Sequence, residues 1–234
     1  MRRSLFAFFI VMLTAGSLGA QRRPRVYTTN DPGVWASAGV SGFRANEVND
    51  GATGSNWDFG NATNAQYRVS LEKGLSSMSS IGIAGSYANV PFVYSADLAV
   101  PLPGGASGAR CSNTGGGCDA HLNLMTLVGT IHYGSGVGLH QVIELNGGVV
   151  SYQNLKRDSD GAKLAGSGNI DPLLNLGWGF GYGLNDRTNI DVISDYSFAL
   201  HERSGLSNSA GNTNSMPGLR ASLRMGFGSR TARR

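Results

Sequence analysis

The chain has 234 residues, of which 35 are Gly and only 15% are charged. That length suits one all-β domain or two small ones, and the low charge and high glycine content leave few segments able to form charged surface helices. The formal net charge of +4 falls to +2 once Arg2 and Arg3 are set aside, and Arg22, Arg23, Arg25, Arg230, Arg233 and Arg234 gather in two terminal tails. No basic stripe interleaved with aromatics remains, which excludes a nucleic-acid partner.

In chain order, Arg2 and Arg3 precede the apolar run LFAFFIVML, followed by the small residues TAGSLGA. This is the layout of a secretory signal peptide over residues 1–20, too short and wrongly flanked for a spanning helix. No Cys stands at the expected cleavage junction, so no lipoprotein anchor is expected. Residues 21–33 form an N-terminal segment ahead of the fold.

Eight strand-like segments follow, separated by Gly/Ser/Asn/Asp clusters. The first is VWASAGVSGF, from Val34. The second, AQYRVSLEKG, sets Tyr67, Val69 and Leu71 against Arg68, Ser70 and Glu72. The third runs from about Ser80 to Val93, with Ile81, Ile83 and Tyr87 on one side. Before the fourth, Cys111 and Cys118 bracket SNTGGG, which in an exported chain reads as a small disulfide loop. The fourth segment, Leu122 to Tyr133, has Leu122 and Leu124 on one face but Leu127, Ile131 and Tyr133 on the other; a one-residue bulge would reconcile them.

The fifth segment sets Ile143, Leu145 and Val149 against Glu144, Asn146 and Gly148. The sixth, LNLGWGFGYGL, has Leu174, Leu176, Trp178, Phe180 and Tyr182 on one face and Asn175 with four glycines on the other. The seventh sets Ile190, Val192, Tyr196 and Phe198 against Asp191, Asp195 and Ser197. The eighth sets Leu219, Leu223, Met225 and Phe227 against Arg220, Ser222 and Arg224. Short connections (LSSMS, GSGVG, NDR) alternate with long polar ones, so consecutive antiparallel strands place all long loops on one rim.

Alternation fits a soluble barrel as well as a membrane one. The glycines of the sixth segment favour the membrane form, because the lumen of an eight-stranded barrel barely holds side chains, so small inward residues have a steric reason. With the bulky residues outside, Leu, Trp, Phe and Tyr meet hydrocarbon and supply interfacial aromatics. Only closure satisfies every backbone polar group of a spanning sheet.

From about residue 27 to 228 the chain resembles the eight-stranded bacterial outer-membrane β-barrel proteins. In that family the last strand ends in an aromatic preceded by alternating apolar residues, read by the barrel-assembly machinery. Leu223, Met225 and Phe227 match, while Ser222 stands where Gly is usual and GSRTARR follows Phe227. The resemblance implies an all-β, antiparallel, up-and-down transmembrane barrel over residues 34–228, with short periplasmic turns, long external loops and a basic tail at 229–234. It also implies location in the bacterial outer membrane, surrounded by lipid.

The lipid-facing set expected from the sequence is Leu174, Leu176, Trp178, Phe180, Tyr182, Leu223, Met225 and Phe227. Arg68, Glu72, Glu144, Asp191, Asp195, Arg220 and Arg224 are expected to point into the lumen and pair there, because an isolated buried charge costs several kcal/mol. A plug that fills the barrel and a narrow charged solute path are both open readings of that set.

None of His121, His132, His140 or His201 stands in a nucleophile elbow or a metal-ligand spacing. His121 and His201 are expected near the loop rim, in solvent. Asp58, Asp119, Asp158 and Asp160 match no calcium-binding loop. No catalytic residue, metal or cofactor is therefore expected. The expected role is structural or surface-binding, as a monomer that contacts an external ligand through its loops. A narrow channel or carrier of small apolar molecules, a secreted soluble barrel binding an apolar ligand, and a lipid-modifying enzyme are the alternatives.

Overall fold

The computed structural model describes residues 31–50, 53–96, 111, 117–201 and 213–229. The expected signal peptide, most of the 21–33 segment and nearly all of the terminal tail lie outside the described residues. Within them are ten strands: β1 (Val34–Phe43), β2 (Val48–Asp50), β3 (Ser55–Asp58), β4 (Asn64–Gly74), β5 (Ser79–Ala96), β6 (Cys118–Tyr133), β7 (Gly138–Arg157), β8 (Asn169–Asn185), β9 (Thr188–Leu200) and β10 (Thr213–Phe227).

Eight of them close into an antiparallel up-and-down barrel, each pairing with its neighbour in sequence once β2 and β3 are set aside. The seam joins β1 to β10, from Val34 opposite Phe227 to Phe43 opposite Gly218. Closure leaves the eight strands without a free edge along the wall. The turns after β4, β6 and β8 are short, and the connections after β1, β5, β7 and β9 are long.

The barrel strands are longer than the sequence suggests at the long-loop end. β5 and β7 have 18 and 20 residues, and β6 begins at Cys118. There a hairpin unanticipated from the sequence, β2 with β3, docks onto the outer extension of β5 through Ser55–Asp58 opposite Val93–Ala96. Cys111 and Cys118 form a disulfide, Cα atoms 5.4 Å apart, which ties the chain entering β6 to that extension; the Ala96 N–H donates to the Cys111 carbonyl.

The fourth barrel strand departs from expectation. β6 pairs with β5 without interruption from Cys118 to Tyr133, so no bulge lies between Leu124 and Leu127. Leu122, Leu124 and Val128 are buried inside, and Met125, Leu127, Ile131 and Tyr133 are exposed outside. The strand is apolar on both faces because the long-loop half of the lumen is itself an apolar core. That core gathers Phe43, Val90, Phe92, Val150, Tyr152, Leu155, Leu173 and Met216 around the two leucines. The one irregularity of β6 pairing falls near its outer end, between His121 and Asn123, where β7 carries an extra residue and Asn154 takes a φ of 55°. A bulge of this kind re-aims side chains at a rim.

Trp57 of β3 seals this core from above. Its ring lies 5.5 Å from Tyr152 and 4.9 Å from His201 between centroids, and it is fully buried. Removing a buried leucine side chain costs about 2–5 kcal/mol. Leu124→Ala is therefore expected to lower barrel stability by about that amount in reversible denaturant unfolding in lipid vesicles, whereas Leu127→Ala, on the outer wall, costs much less.

Candidate functional site

The bare face of β8 explains how the lumen is filled. Across β7, β8 and β9, inward residues line up in rows: Glu144, Gly177 and Asp195; Val142, Gly179 and Ile193; His140, Gly181 and Asp191. In each row a glycine separates two larger side chains. A methyl group at Gly177 would lie 2.9 Å from Asp195 Oδ1 and 3.3 Å from Glu144 Cβ. At Gly181 it would collide with the Asp191 carboxylate and the His140 ring, and at Gly179 with the backbone of Val192. One row further out, Asn146, Asn175 and Ser197 form a hydrogen-bonded chain: Asn146 Nδ2 donates to Asn175 Oδ1 (2.6 Å) and Asn175 Nδ2 to Ser197 Oγ (2.7 Å).

The space freed by the glycines holds an ion-pair network. Glu144 is its hub. Arg220 Nη2 donates to Glu144 Oε2 at 2.5 Å, Arg68 Nη2 lies 3.6 Å from the same oxygen, and His132 Nδ1 lies 3.1 Å from Oε1. Arg220 also reaches Asp195, Nε to Oδ2 3.3 Å, and Arg68 donates to Asn146 Oδ1 at 2.8 Å.

A second group lies beside the seam. Arg224 Nη2 donates to Glu72 Oε2 (2.7 Å) and to Ser80 Oγ (2.6 Å), Ser80 donates to Glu72, and the guanidinium sits 4.2 Å from the Trp35 ring centroid. Glu72, Glu144, Arg220 and Arg224 are each at most 6% exposed. All seven charged residues singled out in the sequence lie on the inner face of the barrel. Asp191 lies near His132 and Arg224 without an ion pair to either, one of its carboxylate oxygens without a hydrogen-bond partner. The sequence did not single out His132, Trp35 and Ser80, which complete the network.

A cavity of about 30 Å³ separates the charged half of the lumen from the apolar half. Arg68, Asn175, Asp195 and Ser197 face it from one side and Phe43, Leu124, Leu173 and Met216 from the other. It has the volume of a water molecule or two. It is a gap between two packings and too small to be a solute path.

The remaining histidines take separate positions. His201 is fully buried, contrary to a solvated rim position, because the hairpin covers it; its Nδ1 lies 2.6 Å from Asp171 Oδ2. His121 is part-exposed and 2.5 Å from Asp158. His140 Nδ1 donates to the Gly138 carbonyl at 3.0 Å. Asp160, in the loop after β7, accepts from Arg157 Nε at 2.9 Å and Nη2 at 2.5 Å, and this pairing holds its carboxyl down to about 2. The loop clip is thus present at ordinary pH and lost only as the pH falls through about 2. No group of three or more candidate metal ligands occurs among the described residues.

The outer wall is an apolar belt. Leu174, Leu176, Phe180, Tyr182, Leu223, Met225 and Phe227 are exposed on it, with Trp178 half-buried against Phe180. Tyr133, Tyr182 and Phe227 lie toward the short-turn end. Tyr67 and Tyr87, opposite each other across β4 and β5, and Tyr196 lie toward the long-loop end. Two aromatic girdles around an aliphatic band are the exterior of a membrane-spanning barrel.

No protein-family model matches the chain, and no curated protein sequence matches it. Among solved structures it is similar to Neisserial surface protein A (14% identity over 83% of this chain and 97% of that one, TM-score 0.43). It is similar also to the outer membrane protein OprG from Pseudomonas aeruginosa (13%, 86% and 96%, 0.42) and to Ail, the attachment invasion locus protein of Yersinia pestis (12%, 83% and 99%, 0.42).

Breaking a buried ion pair by removing one partner costs about 3–5 kcal/mol. Glu144→Gln, which leaves two arginines without their shared carboxylate, is expected to lose that much in vesicle unfolding experiments. Gly177→Leu is expected to abolish the heat-modifiable folded band on gels, because the added side chain has nowhere to go.

Proposed function

We propose that this chain, an outer-membrane β-barrel by its fold and its belt, is a closed scaffold whose working part is the external end. The observation that carries this is the filling of the lumen on both sides of one small cavity: paired charges in the short-turn half, apolar packing in the long-loop half, and Trp57 across the mouth. A pore needs a continuous polar path. The apolar half interrupts any such path with Leu122, Leu124, Val150 and Leu173.

The features that rise beyond the belt are the hairpin β2–β3, the extended strands β5 to β7 and the disulfide at Cys111 and Cys118. Binding residues concentrate on loops held by a rigid scaffold, and this end provides such a platform. Its role is therefore structural or surface-binding, with an external ligand or surface as partner. Outer-membrane lipid surrounds the monomer, and the assembly machinery reads the end of β10 at Leu223, Met225 and Phe227 during insertion. No catalysis is assigned: His132 has both ring nitrogens engaged, and Trp57 and Tyr152 enclose His201.

Planar-bilayer recording tests the closed scaffold. The wild-type barrel is expected to show no stepwise conductance. Arg220→Ala with Arg224→Ala, which unpairs the charged half, is expected to show none either, since the apolar half stays intact. Steady channel steps from the wild type would overturn the reading.

A further inference from the structure

The hydrogen bonds of His132 define a protonation state that the arginines and carboxylates alone do not reveal. Its ring is 1% exposed at the short-turn end of β6, opposite Glu144 on β7 and opposite Ser80 on β5. Nδ1 lies 3.1 Å from Glu144 Oε1, and Nε2 lies 2.8 Å from the Gly134 carbonyl oxygen. A carbonyl oxygen only accepts. Glu144 is also an acceptor here, because its other oxygen takes the Arg220 N–H at 2.5 Å with Arg68 3.6 Å away. A neutral imidazole has one N–H and one lone pair, so in either tautomer a lone pair would face an oxygen at hydrogen-bond distance. Only the doubly protonated ring satisfies both contacts.

We propose that His132 is the fourth cation of the charged half of the lumen, an imidazolium that latches the turn after β6 to the Glu144 hub. In that half three arginines and His132 then face four carboxylates, Glu72, Glu144, Asp191 and Asp195, while a fifth inward carboxylate, Asp171, is held by His201 at the long-loop end. The groups around the ring are Glu144 of β7, Ser80 of β5, Glu72 of β4 and Asp191 of β9, with Arg224 of β10 held on Glu72 and Ser80.

The latch reaches beyond one turn. Gly134, whose carbonyl the ring holds, donates its own N–H to the Met78 carbonyl in the neighbouring turn at 2.8 Å. One proton thus helps fasten two of the three short turns. Without the second ring proton one of the two hydrogen bonds is lost, and the turn loosens while the arginine–carboxylate pairs persist.

Nitrogen-15 spectroscopy of the histidine rings in the refolded wild-type barrel, in lipid nanodiscs at neutral pH, tests the charge state without any variant. Both nitrogens of His132 are expected to carry a bonded proton; an unprotonated ring nitrogen would overturn the proposal. Amide-exchange protection at residues 134–137 tests the latch. It is expected to fall in His132→Gln, whose side chain presents one nitrogen and one oxygen and so cannot donate to both Glu144 and the Gly134 carbonyl. Protection equal to that of the wild type would sink the latch.

Discussion

An eight-stranded barrel encloses so little room that every inward side chain is chosen against its neighbours across the lumen. Volume given to one strand is taken from another, and β8 gives most: Gly177, Gly179 and Gly181 yield their space to Glu144, Val142 and His140 on one side and to Asp195, Ile193 and Asp191 on the other. Glycine weakens an isolated strand. Here β8 is paired along both edges, and its outward Leu, Trp, Phe and Tyr supply the apolar surface that holds it in the wall. The two-faced sequence LNLGWGFGYGL is the local record of a packing requirement three strands wide.

The lumen meets that requirement by two different means. Buried charges carry a desolvation cost that only close pairing offsets, so the short-turn half concentrates its ions around Glu144 and Glu72, each with several partners. Apart from the buried His201–Asp171 pair, the long-loop half has no such cost and is filled like the core of a soluble protein, to which the hairpin contributes Trp57. The cavity at the border follows from the change of material. Polar groups on one side hydrogen-bond to one another through the Asn146–Asn175–Ser197 chain, apolar ones line the other side, and neither closes the gap.

The period-2 alternation made the wall legible in the sequence wherever outward and inward residues differ in kind, as they do in β4, β8, β9 and β10. With consecutive strands paired, the alternation of connection lengths placed the long loops on one rim. Legibility failed where both faces are apolar: Leu122 and Leu124 face inward and Leu127 outward, and the pattern then mimics a bulge. The hairpin was hidden because β2 and β3 have only three and four residues, too short for a period to register. His132 and His201 were unreadable for another reason. A histidine's role is set by what faces its two nitrogens, and Gly134, Glu144 and Asp171 come into place only through strand register and turn geometry.

The position of Trp57 links these halves of the argument. A surface platform is useful to the extent that it is held in one arrangement, and a three-residue strand cannot hold itself. Anchoring comes from the indole, which packs on Phe92, Tyr152 and His201 while its N–H donates to Ser55 Oγ at 3.0 Å. His201 in turn is fixed by Asp171 on the adjacent strand. The buried histidine–carboxylate pair is the polar floor on which the hairpin rests. The apolar filling of the long-loop half therefore does two things through the same atoms: it interrupts the polar lining of the lumen, and it provides the seat that holds the hairpin in place.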